Sequence, residues 1–213
     1  MVHIYYHIYA IDGVESIIDE QLSLIENNFN FPYTLNVGIA IANENVSTSK
    51  VLEKFTKPNH KIRDIRAYYA NEFTTLDLIE NDKEKFGDSD YILYIHTKGA
   101  SKQNGKTYKN IQSWRYLMNY FNIEKVKNVF KIFEKTEFNT YGALFNKFYM
   151  GNFWWMRGDY AKTIDVENID KSNRYQAEGV YLSNGIDFKP YSAYNIESQN
   201  PYIFEFKREE YAK

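Results

Sequence analysis

The sequence predicts a three-layer α/β protein, with a central, mostly parallel mixed β-sheet flanked by helices. Three observations point there. Short runs rich in β-branched and aromatic residues lack the alternation of a half-exposed strand, amphipathic helical stripes lie between them, and Gly, Asp and Asn clusters separate the two.

The first run, Val2 to Tyr9, is stopped by Asp12-Gly13 and reads as a buried strand. Asp12 and Glu15 then stand at capping-box spacing, and Val14, Ile17, Ile18, Leu22 and Ile25 form one helical stripe. A strand followed directly by an amphipathic helix opens a βαβ unit. Leu35 to Ala42 is the second strand, Ile62 to Tyr69 a weaker third, and Asn71 to Phe86 a helix. After the polar break Gly87 to Asp90 comes the strongest strand, Tyr91 to Ile95. Gly99 to Asn110, rich in Gly, Lys, Ser and Asn, predicts an exposed loop. Two helices follow, Ile111 to Phe121 and, after the expected cap Asn122, Ile123 to Lys135 with Ile123, Val126, Phe130 and Phe133 on one face. Tyr141 to Phe145 and Phe153 to Met156 return to strand composition. Ser172 to Ser183 reads as a helix closed by Asn184-Gly185, and Phe188 to Tyr194 as a late strand.

A chain of 213 residues suits one domain. The expected division is a ligand-binding half over about residues 1–100 and a second half over about 101–213. The charged tail EFKREEYAK has the look of an unfinished helix, so the expectation is the N-terminal part of a longer, multidomain protein. A net charge of -2 offers no general attraction to nucleic acid, which is not an expected partner. The absence of Cys excludes a disulfide frame, a thiol nucleophile and thiolate metal ligation, and agrees with a reducing, cytoplasmic location. No stretch approaches the roughly 18 uninterrupted apolar residues of a membrane span. The 20 Tyr and 15 Phe supply rings suited to core packing or to sugar and base surfaces.

In open α/β sheets, ligands lie outside the carboxyl ends of the strands. Those ends are Tyr9 to Asp12, Ala42 to Glu44, Tyr69 to Glu72 and His96 to Ala100. The last is the most informative, because a buried strand ends in an imidazole, a hydroxyl, an ammonium and a glycine, groups that handle anions. Such residues also solvate an ordinary strand end. The neighbouring loop favours a phosphate or pyrophosphate site. Gly99 to Thr107 approaches the P-loop pattern of nucleotide hydrolases, yet five residues separate Gly99 from Gly105 where that pattern has four.

The segments HTKG (96–99), GNFWWMRGDY (151–160) and RYQAEGVYLS (174–183), in this order, resemble a family of viral and bacterial glycosyltransferases, among them enzymes that build viral capsid glycans. The resemblance spans essentially the whole chain. It implies a GT-A, Rossmann-like fold whose first half binds a nucleotide-sugar, most often a UDP-sugar, and whose second half shapes the site of a glycan or glycoprotein acceptor. It further implies that Tyr9, Ala10, Ile11, Asp12 and Asn43 hold base and ribose, that Asn71, Thr75 and Asp77 lie near the donor, and that His96, Thr97, Lys98 and Gly99 meet the pyrophosphate. Asp12 and Asp77 serve equally well as helix-start residues.

That family usually carries a D-x-D pair after the fourth strand, holding Mn²⁺ or Mg²⁺, where this chain has His96-Thr97-Lys98. Asp88-Ser89-Asp90 precedes the strand and belongs to the opposite edge. Two arrangements follow: His96 with Asp77 ligates a divalent metal, Mn²⁺ in preference to Mg²⁺, or Lys98 supplies the positive charge instead. Strand alternation places Trp154 and Trp155 on opposite faces, one of them offered as a sugar platform. Glu178, four residues after Arg174, is either an ordinary helix ion pair or the general base toward the acceptor hydroxyl; Asp159 is the second acid considered. The remaining readings are a P-loop-type nucleotide hydrolase and a non-catalytic carbohydrate-binding module.

Overall fold

A computed structural model describes residues 1–67, 70–103, 105–195 and 200–212. β1 (Val2–Ala10), α1 (Glu15–Asn28), β2 (Tyr33–Ile41), the single turn α2 (Ser49–Leu52) and β3 (His60–Arg66) follow the predicted alternation. They continue into α3 (Phe73–Asp82), β4 (Tyr91–His96), α4 (Tyr108–Asn119) and α5 (Val126–Lys135). The second half adds β5 (Thr140–Gly142), the small hairpin β6 (Phe145–Asn146) and β7 (Phe148–Tyr149), β8 (Trp154–Arg157), and the short helices α6 (Gly158–Ala161) and α7 (Arg174–Gly179). β9 (Pro190–Ser192) and α8 (Arg208–Tyr211) complete it. The end of the third predicted strand, Tyr68 and Tyr69, lies outside the described residues.

Seven strands form one mixed sheet in the order β3-β2-β1-β4-β8-β5-β9. β3, β2, β1 and β4 are mutually parallel, whereas β8 runs antiparallel to both β4 and β5, and β5 pairs parallel with β9. The sheet is covered on both faces, so the fold is a Rossmann-like three-layer α/β/α arrangement. Ile4, Tyr6, Ile8, Leu93, Ile95 and Trp155 face the core shared with α1, α4 and α5. Tyr5, Ile92, Tyr94, Trp154 and Met156 face the core shared with α3 and α7. Period-two alternation thus sends alternate side chains of one strand into two separate cores. This explains why the strands read as unbroken apolar runs.

Several local expectations change. The Asp12–Glu15 capping box does not form: Val14 takes the N-cap position without a side-chain cap, after a turn in which Val14 N–H donates to the Ile11 carbonyl. Glu15 still lies in the first turn, where the helix dipole favours it. Asn122 is not a cap either. It lies in a π-helical stretch, Tyr120–Glu124, joining α4 to α5. Fully buried there, its side chain donates to the Met118 carbonyl at 2.9 Å while its own carbonyl accepts the Trp155 indole N–H at 2.9 Å. The expected helix from Ser172 to Ser183 shortens to α7, capped by the Asn173 side chain on Tyr175 N–H, followed by a 3-10 turn at Leu182–Asn184.

Candidate functional site

β4 ends at His96 at the carboxyl edge of the parallel strands. Because β8 is antiparallel, with Tyr94 paired to Trp154 and Tyr91 to Arg157, the residues that enter β8 arrive at that same edge. Gly151 and Asn152 adopt left-handed backbone conformations (φ 86° and 57°), which turns them onto the end of β4. The His96 Nε2 lies 2.8 Å from the Gly151 carbonyl, and the Asn152 side-chain amide donates to Glu72 Oε2 at 2.6 Å. Glu72, just before α3, sets its other oxygen 3.8 Å from His96 Nδ1. A carbonyl only accepts, so Nε2 carries the ring proton and Nδ1 presents its lone pair beside Glu72.

Below this turn, a buried polar network fixes the backbone. Arg115, 1% exposed, donates to the Lys98 carbonyl at 2.9 Å and grips both oxygens of Glu20 at 3.0 and 2.9 Å. Gln21 donates to the His96 carbonyl at 3.3 Å and accepts from the Tyr6 hydroxyl at 2.6 Å. Paired and fully bonded charges of this kind hold one geometry, because any displacement leaves a buried charge unsatisfied.

The electrostatics are set by burial. Burial pushes the His96 pKa down to about 3, with the Lys98 ammonium adding to the effect, so the imidazole is neutral. Burial raises the Glu72 pKa, opposed by Lys98 and the Asn152 hydrogen bond. Lys98 is only 8% exposed, and burial lowers its pKa against the pull of Glu178 and Glu72. Among the described residues no carboxylate lies within ion-pair distance of its ammonium, which rests 4.3 Å from the centre of the Trp114 ring. Lys98 is a buried cation held by an aromatic face, without a counter-ion in contact among the described residues.

Glu178, on α7, faces a cavity of about 620 Å³ that Trp114, Tyr175 and Tyr202 also line. It forms neither the i,i+4 ion pair with Arg174 nor any hydrogen bond among the described residues; Arg174 instead lies over the Tyr175 ring, 5.3 Å from its centre. The Glu178 charge still acts on Lys98 and His96. One site therefore gathers Glu72, His96, Lys98, Asn152 and Glu178.

The remaining sequence-predicted residues divide. Tyr9, Ile11, Asp12 and Asn43 stand partly or fully exposed at the adjoining ends of β1 and β2, where Ala42 N–H donates to the Ala10 carbonyl, and Ala10 itself is buried. Thr97 is buried, and its hydroxyl accepts Tyr9 N–H at 2.9 Å, so it ties β4 to β1. Thr75 is fully buried under the sheet, 3.0 Å from His7 Nδ1. Asn71 caps the entry to α3 through Phe73 N–H and donates to the Lys171 carbonyl. Gly99 has φ 90°, but its open side faces Ile111 and Arg115 rather than a ligand space.

Three expectations are corrected. Trp154 and Trp155 are both buried (1% and 0% exposed), so neither is a sugar platform. Alternation does send them to opposite faces, yet both faces are covered. Trp154 instead donates to Asn152 Oδ1 at 2.8 Å and thereby orients the amide that holds Glu72. Asp159 pairs with Arg157, opposite Tyr91, and so sits at the far edge of the sheet from His96. Asp77 spends both oxygens on Arg66 (2.9 Å) and Lys171 (2.7 Å), and the carboxylate within 4 Å of His96 is Glu72. The Asp77–His96 pair therefore does not fit a divalent cation. Among the described residues no group of three or more His, Asp or Glu side chains is arranged to hold one.

In the segment after Gly99, four backbone amides are turned inward on the loop itself. The amides of Ala100, Lys102, Gly105 and Tyr108 each close a local turn, onto Thr97, Gly99, Lys102 and Gly105. They are spent rather than convergent on an anion. Asp90, as expected from its place before β4, works at the opposite edge, accepting from the N-terminal ammonium at 2.7 Å.

Sequence pattern marks Glu72 only as part of the strand end Tyr69 to Glu72, and Gly151 and Asn152 only within the segment 151–160. The signal for them is the direction of β8, which no local pattern encodes. The class of protein that the fold defines is a Rossmann-like α/β protein, with an aromatic-walled cavity beside a cluster of charged residues at the carboxyl edge of its sheet. No family model and no curated protein matches the chain. No helix among the described residues is long and apolar enough to cross a membrane.

Proposed function

We propose that the chain is a GT-A-type glycosyltransferase that moves a sugar from a nucleotide-sugar, a UDP-sugar by the sequence resemblance, to a glycan or glycoprotein acceptor. The same resemblance supports capsid-glycan synthesis as its setting. The observation that carries the reading is a carboxylate, Glu178, with no ion pair or hydrogen bond among the described residues, facing a cavity behind whose Trp114 wall lies the buried Lys98 cation, on which the Glu178 charge acts.

In this reading the exposed ends of β1 and β2, with Tyr9, Ile11, Asp12 and Asn43, receive the nucleoside. The diphosphate lies against the end of β4. The acceptor oxygen forms a bond to the anomeric carbon as the bond from that carbon to the diphosphate breaks. Glu178 takes the hydroxyl proton, and the electron pair leaves with the UDP. Lys98 supplies the positive charge where negative charge develops, in a water-poor setting that strengthens it. Glu72 and Asn152, fixed through Trp154, shape the neutral His96 face toward the donor.

The test is ligand-dependent stability and turnover. UDP should raise the melting temperature, and the protein should slowly hydrolyse a UDP-sugar. Glu178→Gln should abolish transfer yet keep UDP binding, and Lys98→Met should lose UDP stabilisation. Stabilisation by ATP but not UDP, or unchanged turnover in Glu178→Gln, would overturn the assignment.

A further inference from the structure

The cavity beside Glu178 has a composition of its own. Its walls include the Trp114, Phe148, Tyr175 and Tyr202 rings, and among the described residues Glu178 is its one charged lining residue. Phe148, Tyr175 and Tyr202 are 39%, 68% and 45% exposed, and they are three of the four large aromatic side chains that stand exposed among the described residues. Exposed rings gathered round one cavity mark a binding surface, whereas scattered ones do not.

The ring of Tyr202 and the backbone of Tyr175 are held in place. Tyr202 packs edge-on against Trp114 with centroids 5.4 Å apart, and the Asn110 side chain grips the Tyr202 carbonyl at 3.1 Å. Tyr175 N–H is tied to the Asn173 cap. The side-chain amides of Asn146 and Asn195, also in the wall, form no hydrogen bond among the described residues. Flat rings with an apolar face, neighbouring amides, and no Lys or Arg among the described lining residues fit the alternating C–H faces and hydroxyls of a pyranose. A volume of about 620 Å³ accommodates about two or three such rings.

We infer that this cavity is a binding site for a neutral oligosaccharide, stacked on Tyr175 and Tyr202, with acidic saccharides disfavoured by Glu178. Its use as the acceptor site rests on the glycosyltransferase reading; saccharide binding itself does not.

Saturation-transfer NMR on the full chain tests this with maltotriose, cellotriose, mannotriose and chitotriose, alongside sialylated and glucuronylated trisaccharides. Saturation transfer to at least one neutral trisaccharide is expected, with the acidic probes binding about tenfold more weakly. Tyr175→Ala and Tyr202→Ala, at exposed positions that do not carry the fold, should each weaken that saccharide about tenfold, while Tyr→Phe at either position retains it. No saturation transfer to any neutral probe, equal binding of the acidic probes, or indifference to both Ala substitutions overturns the inference. UDP stabilisation without saccharide binding removes this site and leaves the enzyme reading standing. Saccharide binding without UDP stabilisation does the reverse.

Discussion

Two buried histidines define the residue scale. His7 and His96 are neutral because burial costs the imidazolium its hydration, bringing both pKa values down to about 3. An unfolded imidazole titrates near 6.5. Between these values the unfolded chain binds protons that the folded chain does not. The stability from keeping each ring neutral is therefore present above about pH 6.5 and is lost as pH falls toward about pH 3, at up to about 1.4 kcal/mol per pH unit for each ring. Imidazole resonances of the folded protein should show His7 and His96 not titrating down to about pH 4.5, while chemical denaturation midpoints fall across the same window. A titration midpoint near pH 6 for either ring would contradict the burial account. The neutral state also matters at the site. With Nε2–H given to Gly151, His96 turns an acceptor toward Glu72, and charge handling is left to Lys98.

At the scale of elements, one close approach sets how α3 sits on the sheet. A Cβ on Gly38, in the middle of β2, would collide with Thr75 Oγ1 and stand 3.2 Å from the Thr74 carbonyl. This lets α3 bring Thr75 onto His7 and carry Glu72 to the sheet edge one turn earlier. Gly38→Ala should cost about 1–3 kcal/mol through overpacking, a fall of several degrees in melting temperature measurable by calorimetry. Combined with Thr75→Ala the loss should be less than the sum of the two, since the double variant removes the atom that clashes. Full additivity would show that the contact does not govern the packing. The π-helical joint between α4 and α5 is a second device of this scale, because it presents the Asn122 carbonyl to Trp155 and so locks β8 beside β4.

The whole molecule is organised by one shared sheet. The expected halves, about 1–100 and 101–213, are not separate layers: β8, β5 and β9 of the second continue the sheet from β4 of the first. The 213-residue chain should unfold in one cooperative transition by circular dichroism and by tryptophan fluorescence. A fragment ending near residue 100 should not fold, because it leaves the β4 edge unpaired and strips Trp154 and Trp155 from the two cores. Coincident midpoints for the full chain and a fragment without a sigmoidal transition check this. Separate transitions would mean that the halves are independent.

What the sequence determined by itself was of short range: four parallel strands, the helices between them, the charged tip at His96 to Lys98 and the turn at Asp88 to Asp90, though not the caps at Asp12 and Asn122. These follow from apolar runs, helical stripes and turn residues, whose physics acts within a few positions. Only the tertiary structure decided that Trp154 and Trp155 are both buried, that Asp159 lies at the far edge and Asp77 is spent on two cations. It likewise decided that Glu72 and Asn152, 80 positions apart, meet beside His96. Burial and pairing depend on what packs opposite a side chain. For β8 that depended on its direction in the sheet, which hydrogen bonding to β4 sets and a local pattern does not carry.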